Sequence, residues 1–304
     1  MKLEVWLLHP GGNPDPAEWQ AHLQAQLAVP EALTWPKWLQ GLLKWFLLRW
    51  RSKRSSLAQM SAPCPSLSLI PSEAAELERL LGPPFRCRSL QYFGPHSIDS
   101  ALSATPKQST IFLLPLHFVR GLILQQLLEQ SRHQLRKASH RVQDLDFKLL
   151  QSAYVDSLSM AIRAQLIENA WTQSYGILLL LPPQPQDWSQ TPQLVLEEAQ
   201  LLMKLLKAKL QANIPIALAQ PYGKPSVDTA LTLLGQQSVT QLLISPLGSL
   251  LSDGELDTFV QTRLKDMAES NGFTTCELSM PSYRTSFLRA ARTEIYNSAK
   301  GLSF

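Results

Sequence analysis

The chain has 304 residues, 28 lysines and arginines against 24 aspartates and glutamates, and a formal net charge of +4. Hydrophobic residues make up 45% and charged residues 17%, which excludes a disordered or fibrous chain and describes a globule long enough for two domains. A charge excess this mild excludes an ordinary nucleic-acid binder unless it gathers on one face.

In chain order, the first apolar run is LEVWLLHPGG (3–12), read as a strand that ends at His9. Its uninterrupted apolar stretch is too short for the core of a secretory signal. HPGGNP lacks the G-x-G-x-x-G spacing that lets a backbone approach a pyrophosphate, so a dinucleotide enzyme is not expected.

Residues 37–54, KWLQGLLKWFLLRWRSKR, hold six basic residues and no acidic one. Leu39, Leu42, Leu43, Phe46, Leu47 and Trp50 form one helical stripe, while Lys37, Gln40, Lys44 and Arg51 form a narrow polar one. Trp38 and Trp45 fall outside the main stripe and imply a second greasy surface. Three uses fit it: packing against the other half, contact with a flat apolar ligand, or contact with a membrane surface or protein partner.

Helical patterns follow at 72–81 and 121–137, separated by the strand run TIFLLPLHF (110–118), which carries His117. The polar, charge-mixed stretch 132–144 divides the chain. Beyond it lie a helix at 154–170, a strand run GILLLLPPQP (176–185), a helix at 194–211 and a strand run IPIALAQPYG (214–223). A helix at 226–235, a strand run VTQLLISPLG (239–248), a helix at 255–270 and a C-terminal helix within 283–300 complete the pattern. Strand runs bounded by Pro and Gly, each followed by a 3.6-period segment, predict an α/β chain with parallel sheets. The spacing divides it into two similar halves, 1–148 and 149–280.

No apolar run approaches the roughly 20 residues that span a bilayer. Cys64, Cys87 and Cys276 are too scattered for a disulfide framework or a thiolate metal cage, so a reducing, cytoplasmic compartment is expected.

These stretches resemble the ferrochelatases, which insert ferrous iron into porphyrins between two Rossmann-like halves. VWLLHPGG is similar to the family's first strand and Gly-Gly turn, and WLQGLLKWFLLRWRSKRS to its helical lip. LQYFGPHSIDSAL resembles the Met-Arg-Tyr-x-x-Pro-x-Ile-x-x-Ala-Leu segment, IFLLPLHF the Leu-Pro-Leu-Tyr-Pro strand, YVDSLSMAI the Tyr-Ile-x-Ala-Leu helix, and VTQLLISP the Val-x-x-Val-x-Val-x-Pro strand. The resemblance implies a chelatase-type fold around a central cleft, with the C-terminal helix 281–304 returning to the first half. It also implies a porphyrin or heme ligand, with Trp38 and Trp45 as an apolar wall and Lys44, Arg49 and Arg51 meeting propionates.

The departures lie in the second half. The family's Ser-Ala-His-Gly-x-Pro loop falls on LLPPQP, so Pro182 stands where the catalytic histidine would be, and all six histidines precede residue 141. The family glutamate falls on Glu255 in SPLGSLLSDGELDT, which also reads as a first-turn helix residue behind a capping signal. Metal insertion needs two pyrrole protons removed and a metal delivered, and proline offers neither base nor ligand. His9 and His117, at strand ends in the first half, are the possible substitutes as base or metal ligand; each also reads as an ordinary hydrogen-bonded strand-end histidine. No resident cofactor is required, and an iron-sulfur cluster is not expected, because only Cys276 lies in the last third. The expectation is therefore a porphyrin- or heme-binding pseudoenzyme. Its alternatives are an active ferrochelatase with relocated residues, and a scaffold without a tetrapyrrole.

Overall fold

Every residue of the first apolar run from Leu3 to His9 is buried, and the run forms strand β1. The structure is a computed structural model. It describes residues 2–9, 65–91, 97–119, 122–169, 174–181, 191–210, 213–221, 223–250, 256, 259–277 and 281–301. After β1 come α1 (Pro65–Leu81), β2 (Phe85–Gln91), α2 (Ile98–Ala104), β3 (Thr110–Pro115), α3 (Leu122–Lys137) and β4 (Arg141–Asp144). Then follow α4 (Phe147–Glu168), β5 (Tyr175–Leu180), α5 (Thr191–Leu210), β6 (Ile216–Ala219), α6 (Val227–Gly235) and β7 (Gln241–Pro246). A π-helical turn (Val260–Leu264) runs into α7 (Lys265–Ser270), and β8 (Thr274–Glu277) and α8 (Pro281–Lys300) end the described chain.

The strands form two four-stranded sheets, ordered β2-β1-β3-β4 and β6-β5-β7-β8, and every pairing is parallel. The chain is therefore two parallel α/β halves of one strand order, as the alternating runs predict. Parallel sheets are covered on both faces, so their central strands read as continuous apolar runs; IFLLP and ILLL are such runs. The helices start where the sequence offers caps. Asp146 accepts from the Lys148 and Leu149 amides at the start of α4, and Ser226 accepts from the Thr229 amide at the start of α6.

Strand alternation divides the core. Leu3, Val5 and Leu7 of β1, Phe112 and Leu114 of β3, and Ile177 and Leu179 of β5 share one cluster with the buried faces of α1, α4, α5 and α8. Trp6, Leu8, Ile111 and Leu113 face the other way, onto α2 and α3. Leu178, Leu180, Leu242 and Ile244 face α6, the π-helical turn and α7. The first cluster contains residues of both sheets, so the halves share one core face. α8 joins that face through Phe287, Leu288, Ala291 and Ile295. It is tied to the first half by a buried Arg284–Glu73 ion pair and by the Tyr296 hydroxyl donating to the Leu81 carbonyl.

Three elements differ from the reading of the sequence. The stretch 132–144 is no connector: it is the last turn and a half of α3 followed by β4. β2 and β8 were not anticipated as strands. β2, β4 and β8 are all sheet edges, where one side lacks a neighbour and polar residues are tolerated. Their sequences FRCRSLQ, RVQD and TTCE accordingly lack an apolar run. In addition, α1 and α4 start earlier than the periodicity indicated, at Pro65 and Phe147.

Candidate functional site

The strand order places a reversal in each half. From β1 the chain moves to β2 on one side, then returns to β3 on the other. The carboxyl ends of β1 and β3 thus flank a topological switch point, where connections diverge and open α/β sheets leave a crevice. The last residue of β1 is His9, and His117 stands two residues beyond β3.

The two imidazoles meet there, with ring centroids 4.9 Å apart and planes inclined by 60°. Both are buried, at 2% and 8% exposure. Burial pushes the His9 imidazole well below its usual range, and the neighbouring His117 lowers it further. Burial also takes His117 down to about 4. Both rings are consequently neutral at pH 7, the form that binds a metal or accepts a proton.

His117 is fixed by the other half of the molecule. Its Nε2 lies 3.0 Å from the Ser249 hydroxyl, which can donate or accept according to the ring tautomer. Residues 117 and 249 form an isolated antiparallel bridge. It is flanked by the Phe118 amide donating to the Gly248 carbonyl at 2.6 Å and the Leu250 amide donating to the Leu116 carbonyl at 3.0 Å. The loops after β3 and β7 are thus clipped together. Gly248 lies at φ +87°, and a Cβ there would sit 2.5 Å from Val119 Cγ2, so only glycine lets the loops approach this closely.

α4 supports the clip from below. The Tyr154 hydroxyl accepts from the Gly248 amide at 2.9 Å, and the Gln151 side-chain amide donates to the Phe118 carbonyl at 2.8 Å. Burial raises the Tyr154 phenol above its usual range, so it remains a neutral hydroxyl. Its ring stacks on Phe118 with centroids 4.6 Å apart.

Of the residues singled out in the sequence, the structure brings His9 and His117 together. Pro182, Glu255, Trp38, Lys44, Trp45, Arg49 and Arg51 lie outside the described residues. Ser249, Tyr154, Gln151 and Gln91 were not anticipated. Ser249 had a signal: LLPLHF and ISPLGS both end a strand with Pro-Leu, so the two loops repeat one another. Gln91 lies in LQYFGPHSIDSAL, matched above to a family segment, but was not singled out because β2 was not recognised as a strand. It is the in-register partner of His9 across β1 and β2, and it is 1% exposed.

One feature elsewhere stands apart from this centre. A groove of about 960 Å³ follows β2 between α1 and α2. Its charged side chains are engaged: Arg86 with Glu78 at 2.9 Å, and Arg88 with the buried Glu4 at 2.9 Å. Among the described residues, no helix is long and apolar enough to cross a membrane, and no group of three His, Cys, Asp or Glu is placed to hold a metal.

The architecture is that of a chelatase-type fold: two parallel-sheet halves with four strands each. SirB from Bacillus subtilis, solved with Fe3+, matches over 100% of both chains with a TM-score of 0.50 and 13% identity. CbiX, described as the terminal enzyme of siroheme biosynthesis in denitrifying bacteria, matches over 100% of both chains with a TM-score of 0.48 and 15% identity. A ferrochelatase of Edwardsiella ictaluri (strain 93-146) is 40% identical over 60 residues, 20% of this chain. That match spans 19% of the relative's length. No family model matches the chain.

Proposed function

We propose that this protein delivers a divalent metal ion to a tetrapyrrole macrocycle, with His9 and His117 as the groups that meet the ion and the ring. The observation that carries this reading is the buried, neutral imidazole pair at the first-half switch point. Insertion exchanges one M2+ for the two protons of the pyrrole nitrogens, so the site needs groups that hold a cation and accept protons. Neutral imidazoles do both. With metal–nitrogen bonds of about 2.1 Å, two imidazoles sharing one ion have ring centres about 5 Å apart, in line with the observed 4.9 Å. The likeness of fold to SirB, a structure solved with Fe3+, supports a metal ion as ligand. A ferrochelatase matching over a fifth of the chain supports a tetrapyrrole as the acceptor.

In this reading the first-half strand ends take over the role that the family resemblance gives to the position of Pro182. Glu255 is the carboxylate that the family resemblance assigns to the reaction, and Trp38, Trp45, Lys44, Arg49 and Arg51 would serve the macrocycle and its acidic side chains.

A second reading, a porphyrin- or heme-holding protein without turnover, is favoured by Pro182, because the stretch that resembles the family's histidine loop carries no imidazole in its sequence. Titration with heme and with metal-free porphyrin, alongside insertion assays with ferrous or cobaltous ion, separates the two. Metal insertion that His9→Ala or His117→Ala abolishes supports the first. Saturable binding of both ligands without insertion, with only heme weakened by the same changes, supports the second. Absence of saturable binding of either macrocycle rejects both and leaves segment 37–54 as a surface for a protein or membrane partner.

A further inference from the structure

In a neutral imidazole one nitrogen carries the proton and the other the lone pair, so the hydrogen bond made by one settles what the other can do. For His117 that bond comes from the second half of the molecule, where the Ser249 hydroxyl lies 3.0 Å from Nε2. Ser249 is 1% exposed, and its backbone is anchored on both sides. Before it, the Gly248 amide donates to the Tyr154 hydroxyl and the Gly248 carbonyl accepts from the Phe118 amide; after it, the Leu250 amide donates to the Leu116 carbonyl. The neighbouring Leu116, Phe118, Leu247 and Leu250 all belong to the core face that the halves share. Among such neighbours an unpaired hydroxyl or ring nitrogen would lose its hydration without compensation.

We propose that Ser249 is a positioning residue of the His9–His117 centre: its oxygen accepts a hydrogen bond from the Nε2–H of His117 and so leaves the Nδ1 lone pair to meet the metal ion. This rests on the metal-handling reading given above and deepens it, because it makes a second-half residue govern a first-half centre. The opposite tautomer, with Ser249 donating to Nε2, would put the ring proton on Nδ1 and leave neither nitrogen able to bind an ion. A partner that takes up the remote N–H of a metal-binding histidine fixes its tautomer and orientation and raises its basicity. Ser249 and His117 meet only through the bridge between the β3 and β7 loops, so the ring is set for binding only while that clip is closed. The converse holds by linkage. An ion on Nδ1 draws electron density from the ring, makes Nε2–H a stronger donor and tightens the clip.

The test has a metal-free arm and a metal arm, both on the full chain. In the first, isotope-labelled histidines are followed at neutral pH by long-range proton–nitrogen correlation, with the His117 signals assigned by their loss in His117→Gln. The nitrogen shifts separate a proton-bearing from a bare ring nitrogen. The parent should carry the His117 proton on Nε2, Ser249→Ala should show a mixture of tautomers, and Ser249→Thr, which keeps a hydroxyl, should restore the parent pattern. In the second arm, Co2+ binding should weaken about tenfold or more in Ser249→Ala and recover in Ser249→Thr. Far-ultraviolet circular dichroism establishes that each variant is folded, and the parent's own tautomer carries the test if Ser249→Ala is not. A proton on Nδ1 in the parent, or unchanged Co2+ affinity in a folded Ser249→Ala, would overturn the role of Ser249 while leaving the histidine pair intact. Absence of saturable Co2+ binding by the parent would instead overturn the metal-handling reading, and this role with it, whatever tautomer the nitrogen shifts report.

Discussion

Gly248 shows how closely one residue controls the junction. Its φ of +87° is costly for any L side chain, and an added methyl would strike Val119 at 2.5 Å. Gly248→Ala should lower stability by about 2 kcal/mol or more, read as a shift in the urea midpoint, and should also disturb the Ser249–His117 contact. The histidines set a pH dependence whose sign follows from their shifts. An unfolded histidine takes up its proton near pH 6.5, whereas His117 folded does so at about 4 and His9 well below its ordinary value. Between those limits the unfolded state binds more protons, so stability falls as pH drops from about 6.5 towards 4. The slope is about 1.4 kcal/mol per pH unit for each histidine involved. Denaturation across this window should show that loss, and His117→Gln should flatten it. A pH-independent midpoint would mean that the rings are charged or solvated in the fold.

At the scale of elements, α8 is held by a charge pair placed in a dry position. Arg284 and Glu73 each keep only 10% of their side chain exposed, and burial raises the Glu73 carboxyl despite the guanidinium beside it. Removing one partner leaves the other buried without its counter-charge, which costs about 3–5 kcal/mol. Glu73→Ala should therefore destabilise strongly, whereas the double change Glu73→Leu with Arg284→Met should recover most of the loss in the same denaturation experiment. Such recovery would be absent if the pair made a large net contribution of its own.

The legibility of the sequence also divides by element. Central strands declare themselves by runs such as TIFLLP, because both faces are buried; the edge strands β2, β4 and β8 are half-solvated and carry no such mark. His9 and His117 were legible as strand-end residues, since their runs ended where they stood. Their meeting was not, because it depends on the strand order β2-β1-β3-β4 that brings β1 beside β3. Gln91 was hidden with its strand. Ser249 was hidden because a serine after Pro-Leu-Gly acquires its role only through a contact 132 residues away in sequence.

The whole molecule is two halves that repeat one strand order yet share a core face built on α4 and α8. α4 contributes Tyr154 and Gln151 to the clip that joins the β3 and β7 loops. Unfolding should accordingly proceed in one cooperative step, with coincident transitions by tryptophan fluorescence and far-ultraviolet circular dichroism; two separated transitions would show that the halves are independent. The same junction gives the proposed chemistry its setting, with a first-half imidazole pair held in place by a second-half loop. The most direct test is metal insertion followed by absorbance, with Co2+ or Fe2+ supplied to metal-free sirohydrochlorin and to protoporphyrin. The parent is compared with the double variant His9→Ala/His117→Ala. The expected result is conversion of one of these macrocycles by the parent, slowed about 100-fold or more in the double variant. Equal conversion by a folded double variant would contradict the assignment of the metal-handling centre to these two histidines.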